Sequence, residues 1–333
     1  MIRLVQIQRG AERRVALVEE PRLRLLSGAA SVYDLAFESA ATRTPLAELV
    51  ARRAAADTLD YDSIHKGRSE WRLLPPADHP HEAARCLVSG TGLTHLGSAK
   101  NRSAMHGASE ADMTDSMRMF RWGVEGGRPP AGRIGAAPEW FYKGDGGILR
   151  GPGDPLDVSP HAEDGGEEGE IAGVYIVDGD GRPRRIGMAV GNEFSDHKFE
   201  KKNYLNLASS KIRTCSIGPE LVIDPDFGSV VGNVTIERAG KTLWSQAIQT
   251  GEAEMCHSLQ NIEHHHFKFE THRRPGDLHV HYYGAHSLSF GAGVQLADGD
   301  IMAVSFEGFG RPLRNPLRVM PGPAAIVAVQ PLV

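Results

Sequence analysis

The sequence predicts an α+β fold dominated by β-strands, with a small α+β domain at the N-terminus. Three observations support this prediction. The first 75 residues alternate short apolar runs with a helical stretch, and a proline-bearing passage follows them. From Glu168 onward, β-branched and aromatic runs alternate with Gly, Asp, Asn and Pro turns, which is typical of consecutive strands. A length of 333 residues allows one sizeable core and a smaller appendage.

The N-terminal region is predicted to contain short strands and one helix. Apolar runs of strand length occupy 2–7, 15–18 and 23–26. Between residues 32 and 55, apolar side chains including Leu35, Leu46 and Leu49 recur near the helical period of about 3.6 residues. We therefore expect a single helix over 32–55.

A cluster of prolines marks the predicted domain boundary. Pro75, Pro76 and Pro80 follow one another closely. Because proline fixes its own φ and pushes the preceding residue out of the helical region, regular structure should break here. We expect the small domain to cover 1–75 and a catalytic domain to cover 76–333.

The second region begins with mixed signals and then becomes rich in strands. A strand-like run at 86–88 is followed by a polar segment at 91–121, which has helical spacing in part, and by a glycine- and proline-rich stretch at 123–137. The runs that read as strands after Glu168 are 171–177, 186–190, 221–223, 231–236, 278–283 and 301–306.

Composition excludes several classes of protein. The formal net charge of −5, with 41% apolar and 24% charged residues, favours a folded protein without a nucleic-acid partner. The N-terminus has no apolar signal region, and no run of 18 apolar residues occurs, so we expect a cytoplasmic protein that does not enter a membrane. The cysteines Cys86, Cys215 and Cys256 lack C-x-x-C spacing and are expected to be buried and unpaired.

A possible metal site lies at the start of one predicted strand and the end of the next. Glu168 and Glu170 are two residues apart, so on a strand their carboxylates point to one side. Glu193, after the following apolar run, could supply a third carboxylate. Oxygen ligands alone suit Mg²⁺, Mn²⁺ or Ca²⁺. The alternative is a solvated acidic loop, because Glu163, Asp164 and Glu167 are close by.

Several short blocks, in order along nearly the whole chain, resemble the fumarylacetoacetate hydrolase superfamily. The blocks are 138–143 (Pro-Glu-Trp-Phe-Tyr-Lys), 149–156 (Leu-Arg-Gly-Pro-Gly-Asp-Pro-Leu), 168–172 (Glu-Gly-Glu-Ile-Ala), 191–195 (Gly-Asn-Glu-Phe-Ser), 211–219, 275–277, 296–300 and 306–316. The block at 168–172 is similar to the family's Glu-x-Glu-Leu-Ala metal motif. The block at 191–195 is similar to its Asn-Asp-Val-Ser turn.

The resemblance implies a β-rich fumarylacetoacetate-hydrolase-like fold and a divalent metal, usually Mg²⁺, that a small 2-keto acid substrate chelates. Glu168, Glu170 and Glu193 match the positions of the metal ligands, and Lys143 and Lys211 match lysines that line the substrate. Glu193 stands where the family mostly has Asp, which adds a methylene to that ligand. The family is typically dimeric, so a homodimer is expected.

Two departures from the family pattern bear on the reaction. Ser98 stands where hydrolases of the superfamily carry the His that activates water. The family's Gly-Thr-Pro loop, which helps to hold the substrate carboxylate, is replaced by Gly284, Ala285 and His286. We expect these four residues to lie on the substrate side of the site.

The departures resemble the sugar-acid branch of the superfamily, which includes 2-keto-3-deoxy-pentonate dehydratases. A dehydratase of this kind would form a semialdehyde, with Lys143 or Lys211 as the base. His95 and His106 are candidates for the general acid. One alternative is a hydrolase that cleaves a C–C bond in a 2,4-diketo acid, with His95 replacing the missing His. Another is a sugar-acid binding protein without catalysis.

Two groups of histidines are not assigned to the metal site. The run from His264 to His266 lacks the H-E-x-x-H spacing of a zinc helix, so we expect a surface helix. On the predicted strand 278–283, His279 and His281 share one face, which should either meet solvent or line the pocket.

Overall fold

The computed structural model describes residues 1–97 and 114–332. The strands, in chain order, are β1 (Ile2–Arg9), β2 (Glu12–Glu19), β3 (Arg22–Leu26), β4 (Ala54–Asp60), β5 (Arg72–Leu73), β6 (Cys86–Gly92), β7 (Glu139–Asp145), β8 (Leu149–Arg150), β9 (Leu156–Val158), β10 (Gly169–Val177), β11 (Pro183–Asn192), β12 (Cys215–Ile217), β13 (Leu221–Ile223), β14 (Val230–Arg238), β15 (Lys241–Thr250), β16 (Leu278–Tyr282), β17 (Ile301–Phe306) and β18 (Leu313–Val319). The helices are α1 (Val32–Thr42), α2 (Leu46–Arg53), α3 (Tyr61–His65), α4 (Asp115–Gly126), α5 (His197–Lys202), α6 (Leu207–Lys211) and α7 (Leu259–Phe267).

A large mixed sheet forms the centre of the molecule. Its main order is β4-β3-β2-β1-β13-β11-β10-β16-β6-β7, while β5, β8 and β12 pair beside this path. The N-terminal strands are therefore continuous with the strands that follow residue 75, since β1 pairs antiparallel with β13 through Leu4 and Leu221. Residues 1–75 do not form a sheet of their own, and the predicted domain boundary stays a prediction.

A second sheet packs against the first and completes the core. Its order is β15-β14-β17-β18-β9. Ile171 and Val190 from the large sheet pack with Val234 and Val304 from the small one in a buried apolar cluster. Burying such side chains contributes about 1.5–3 kcal/mol each, so this contact stabilises the ends of β10 and β11 against the small sheet.

Most strand predictions are confirmed, and the long helical prediction is wrong. The predicted strands 221–223 and 301–306 match β13 and β17. The single helix predicted over 32–55 is two helices, because Pro45 stands at the N-cap of α2 and Arg43 ends α1 in the left-handed conformation. A proline at this position cannot donate the backbone hydrogen bond that a continuous helix needs. Strand β15 was not predicted, and most of its residues are exposed or only partly buried.

The histidine-rich helix was also predicted wrongly, because α7 is not a surface helix on all sides. His265 and His266 are buried, and α7 covers the His279 and His281 face of β16. His266 Nε2 lies 3.0 Å from His279 Nδ1, while His281 lies 2.9 Å from Ser89 Oγ and 2.7 Å from Thr91 Oγ1. His279 and His281 are buried, so this face does not meet solvent, and its described hydrogen-bond partners are α7 and β6 rather than the carboxylate cluster.

Two further expectations from the sequence can be compared with the structure. The three cysteines are free and buried, as expected. Among the residues that the structure describes, no helix is both long enough and apolar enough to span a bilayer.

Candidate metal centre

The pairing of β10 with β11 brings the three predicted ligands together. Gly169 pairs with Asn192 and Glu170 with Gly191, and the backbone N–H of Glu193 donates to the carbonyl of Glu168 across 3.0 Å. One carboxylate oxygen from each of Glu168, Glu170 and Glu193 lies within 4.8 Å of the others. All three residues are buried, so they do not form the solvated acidic loop that was the alternative.

Two lysines lie against the carboxylates. Lys143, on β7, donates to Glu193 Oε1 at 2.7 Å and to the carbonyls of Phe194 and Lys211 at 3.1 and 2.8 Å. Lys211, at the end of α6, donates to Glu168 Oε1 at 2.6 Å, Glu193 Oε2 at 2.8 Å and Ser195 Oγ at 3.0 Å. Both lysines therefore have an acceptor for each of their three N–H groups.

The two lysines differ in how far solvent reaches them. The Lys143 side chain is fully enclosed, and its partner Glu193 is 1% exposed. Lys211 is 5% exposed and Glu168 is 10% exposed. The Lys211 ammonium also lies 4.7 Å from the centre of the Phe141 ring. The cluster is therefore open to solvent on the side of Glu168 and Lys211, while Lys143 lies behind it.

The carboxylates differ sharply in their protonation. Burial raises the pKa of Glu170 well above its usual range, and the nearby Glu193 and Glu168 raise it further. Burial and Glu168 also raise the pKa of Glu193, although Lys143 and Lys211 oppose this. For Glu168, burial is outweighed by Lys211 and His197, which hold its pKa well below the usual range. Three carboxylates face two lysines here, so a fully ionised cluster would carry one uncompensated negative charge, and the raised pKa favours the protonated form of Glu170.

The donor set fits a hard divalent cation. Glu170 accepts the Gly284 N–H through Oε2 at 2.7 Å, and Glu168 accepts Lys211 and His197 through Oε1 at 2.6 and 3.1 Å. Each of these two glutamates keeps one oxygen for which the described residues provide no hydrogen-bond donor. Convergent carboxylate oxygens without nitrogen or sulfur ligands suit Mg²⁺, Mn²⁺ or Ca²⁺. A cation here would also favour the ionised form of Glu170 and balance its charge.

The other predicted site residues lie at different distances from this cluster. Gly284 contacts it directly, and its φ of 104° together with the close approach of Thr94 leaves no room for a side chain. Ala285 and His286 follow Gly284 in the same segment. Ser98 and His106 lie outside the described residues.

His95 is fully buried beside this segment. Its ring nitrogens lie 2.9 Å from Thr94 Oγ1 and 2.8 Å from Thr250 Oγ1. Burial and the neighbouring His286 lower the pKa of His95 to about 3. A neutral, enclosed imidazole held by two hydroxyls organises the packing here. The role of His95 as general acid stays a prediction that this geometry does not favour.

Two residues near the cluster were missed by sequence reasoning. His197, at the start of α5, approaches Glu168 with Nε2, and Glu168 raises the pKa of His197 against the effect of burial. Glu139 is buried on β7 and hydrogen-bonds with the Tyr204 phenol. Glu139, Phe141 and Lys143 alternate along one strand and so share a face. That period of two was visible in the sequence and could have identified Glu139.

Comparison with known proteins gives a consistent result for the fold. No protein-family profile and no curated protein sequence matches this chain. Among solved structures, 2-keto-3-deoxyarabinonate dehydratase has a TM-score of 0.70 at 17% identity, covering 96% of this chain and 100% of the other. A 2-keto-3-deoxy-D-arabinonate dehydratase complexed with magnesium and 2,5-dioxopentanoate has a TM-score of 0.69 at 18% identity, covering 96% and 99%. The 5-carboxymethyl-2-hydroxymuconate delta-isomerase from Mycobacterium smegmatis has a TM-score of 0.55 at 16% identity, covering 96% and 100%.

The chain has the fumarylacetoacetate-hydrolase fold. The β-rich architecture expected from the motif resemblance is thereby confirmed, and the match extends over almost the whole chain. In this fumarylacetoacetate-hydrolase-like chain, the buried glutamate cluster lies where two strands of the large sheet end beside the Gly284 segment.

Proposed function

We propose that this chain is a Mg²⁺-dependent hydro-lyase that dehydrates a 2-keto-3-deoxy-pentonate to 2,5-dioxopentanoate, the semialdehyde of 2-oxoglutarate. The observation that carries the proposal is the buried cluster of Glu168, Glu170 and Glu193 with Lys211 at its open side. The solved structures support it, since TM-scores are higher for the sugar-acid dehydratases, at 0.70, than for the isomerase, at 0.55. The sequence supports it through Ser98, which replaces the hydrolytic His.

The reaction removes one water from the substrate. A C–H bond at C3 and the C–O bond at C4 break, and the electron pair of the C–H bond forms the C3–C4 double bond as hydroxide leaves with a proton. A proton then leaves C5 as C3 takes up a proton, so that the double bond lies between C4 and C5. The resulting enol loses its hydroxyl proton as C4 takes up a proton, which gives the aldehyde. A bound divalent cation supplies Lewis-acid stabilisation of the negative charge that develops on the 2-oxo oxygen.

Individual side chains in and near the cluster are assigned to positioning, substrate binding and proton transfer. We assign Lys143 to holding Glu193 in place, because it is fully enclosed and donates to Glu193. We assign Lys211 to the substrate and to the C3 proton, because it stands at the open side. Glu139 lies two residues before Phe141 on β7 and hydrogen-bonds with the Tyr204 phenol, so we assign Glu139 to proton transfer at the C4 oxygen.

The proposal also covers the metal ion, the oligomeric state and the cellular compartment. Mg²⁺ is favoured over Mn²⁺ and Ca²⁺ because the resemblance implies it, and the substrate is a small sugar acid for the same reason. A homodimer in the cytoplasm completes the proposal. Metal dependence is tested by EDTA, which should abolish activity, and by added Mg²⁺, which should restore it. Full activity in metal-free protein would contradict the assignment.

The deciding experiment offers the purified protein a panel of 2-keto-3-deoxy sugar acids and 2,4-diketo acids with Mg²⁺, and identifies products by mass. We expect a pentonate to lose one water and solvent deuterium to appear at C3 of the product. Faster splitting of a 2,4-diketo acid into two acids would instead support the hydrolase. Tight Mg²⁺-dependent binding of a sugar acid without turnover would support a binding protein.

A further inference from the structure

Glu167 is a buried carboxylate that immediately precedes the proposed ligand Glu168 but does not join the cluster. Its side chain has no exposed surface. Both of its oxygens accept hydrogen bonds from one residue: Oε1 from the Ser289 N–H at 2.7 Å and Oε2 from the Ser289 hydroxyl at 2.7 Å. Adjacent residues of an extended chain point to opposite sides, so Glu167 and Glu168 serve different partners.

Ser289 ends the segment 284–289, which follows β16 beside the cluster. At its first residue, the Gly284 N–H donates to Glu170 Oε2 across 2.7 Å. At its last residue, Ser289 is held by Glu167. The segment is therefore tied at both ends to the strand that carries Glu168 and Glu170. It spans the residues that replace the substrate-binding loop of the superfamily.

The middle of the segment carries a histidine with one unsatisfied nitrogen. His286 Nδ1 is buried, and none of the described residues forms a hydrogen bond with it. A buried polar atom in this state is costly, which suggests that it is satisfied when a ligand arrives. Phe290, next to Ser289, packs its ring 5.2 Å from that of His197, which contacts Glu168. The position of Ser289 is thus coupled to the edge of the metal centre.

Packing alone does not account for a buried glutamate at position 167. A carboxylate removed from water is unfavourable unless hydrogen bonds compensate it, whereas an apolar side chain would fill the same space without that cost. Two hydrogen bonds to the backbone and side chain of one residue specify a single position of the segment. This is a constraint on geometry that apolar contacts, which have no direction, cannot impose.

We propose that Glu167 is a positioning residue, which fixes the segment 284–289 so that it lies against a 2-oxo acid bound at the glutamate cluster, where Gly284 already contacts Glu170. The inference rests on the proposed function, because it concerns how that substrate is held. Glu167 does not bind the metal. Its loss should therefore weaken substrate binding and leave metal binding unchanged.

The test compares Glu167→Gln, Glu167→Ala and Ser289→Ala, with Glu163→Ala as the control because Glu163 lies in the same acidic run and pairs with Lys202 at the surface. Gln can still accept from the Ser289 N–H, so it should keep KM within about threefold of wild type. Ala should raise KM roughly tenfold or more with a much smaller change in kcat, and Ser289→Ala should fall between them. The Mg²⁺ affinity of every variant, measured by calorimetry, should match wild type.

Two readouts separate this inference from the proposed reaction. Hydrogen exchange in the peptide covering 284–292 should be faster in Glu167→Ala than in wild type and in Glu163→Ala. Binding of 2-oxoglutarate, a 2-oxo acid that has no hydroxyl to lose, should weaken roughly tenfold or more in Glu167→Ala. Both hold even if wild type dehydrates no sugar acid. Unchanged exchange together with unchanged 2-oxoglutarate affinity overturns the inference, and so does a loss of Mg²⁺ affinity in Glu167→Gln.

Discussion

Replacing Glu170 with Gln should stabilise the metal-free protein and remove its stabilisation by Mg²⁺. Among the described residues, the carboxylate of Glu170 receives one hydrogen bond, from the Gly284 N–H, and forms no direct ion pair, although Lys211 attracts it from a greater distance. Oxygens of Glu168 and Glu193 lie within 4.8 Å of it. Gln retains an oxygen that can accept the Gly284 N–H, and it has no charge. The substitution therefore removes repulsion without removing the hydrogen bond.

The size of the effect follows from these distances. Two like unit charges 4.8 Å apart repel by about 3 kcal/mol at an effective dielectric constant of about 20. Lys211 offsets part of this repulsion, and proton uptake by the buried carboxyl limits the rest. We expect metal-free Glu170→Gln to gain about 1–3 kcal/mol of unfolding free energy at pH 8. Wild type should gain about 2.7 kcal/mol from Mg²⁺ at 100 times its Kd, and the variant almost nothing.

Thermal unfolding at pH 8, in EDTA and in excess MgCl₂, measures both changes. Glu307→Gln is the matched control, because Glu307 is exposed and forms no side-chain ion pair with any described residue. The control should behave as wild type in both buffers. Our account of the cluster is refuted if Glu170→Gln is less stable than wild type in EDTA, or if Mg²⁺ raises its Tm as much as that of wild type.

Three further predictions concern charge and proton transfer. Burial, with nearby histidines contributing, lowers the pKa values of His95, His279 and His281 to about 3, so their stabilising effect is complete above pH 6.5 and is lost as pH falls toward 3. Each histidine should lower the free energy of unfolding by about 2 kcal/mol at pH 5 relative to pH 7. Urea unfolding at the two pH values should therefore show a combined loss of about 6 kcal/mol. No loss of stability would contradict the neutral, buried state of these histidines. Lys143→Met should destabilise the metal-free protein by about 3–5 kcal/mol, because the buried carboxylate of Glu193 would lose one of its cationic partners. A loss of unfolding free energy below about 1 kcal/mol in chemical denaturation would be inconsistent with Lys143 compensating the charge of Glu193. Glu139→Gln should lower kcat by about 10²-fold or more while Mg²⁺ affinity stays unchanged, and an unaltered kcat would exclude Glu139 from proton transfer.

Local patterns in the sequence were enough for most strands and for part of the site. Glu168 and Glu170 share a side because side chains alternate along a strand, and that rule needs no tertiary information. The same alternation contained Glu139, two positions from Phe141, although it was not used. The split between α1 and α2 was also readable from Pro45. The error there came from following the apolar period through a residue that interrupts a helix.

Burial could not be inferred in the same way for polar residues. Histidine is polar and is often found at protein surfaces, yet His266 and His281 are buried. Their hydrogen-bond partners include Ser89 and Thr91, which lie on a strand far away in sequence. Whether a polar side chain can be buried depends on partners that arrive through folding. Sequence reasoning placed His266 on a surface helix and left His281 either at the surface or in the pocket, because it could not identify those partners.

The sequence by itself determined the identity of the carboxylates, their alternation on β10 and the turn chemistry that ends β10 and β11. The tertiary structure decided that Glu193 meets Glu168 and Glu170, that Lys143 is enclosed while Lys211 faces the opening, and that Glu167 holds Ser289. The physical reason is one of range. Strand alternation is set by neighbouring backbone angles, whereas charge compensation and access to solvent depend on residues brought together by pairing between distant segments.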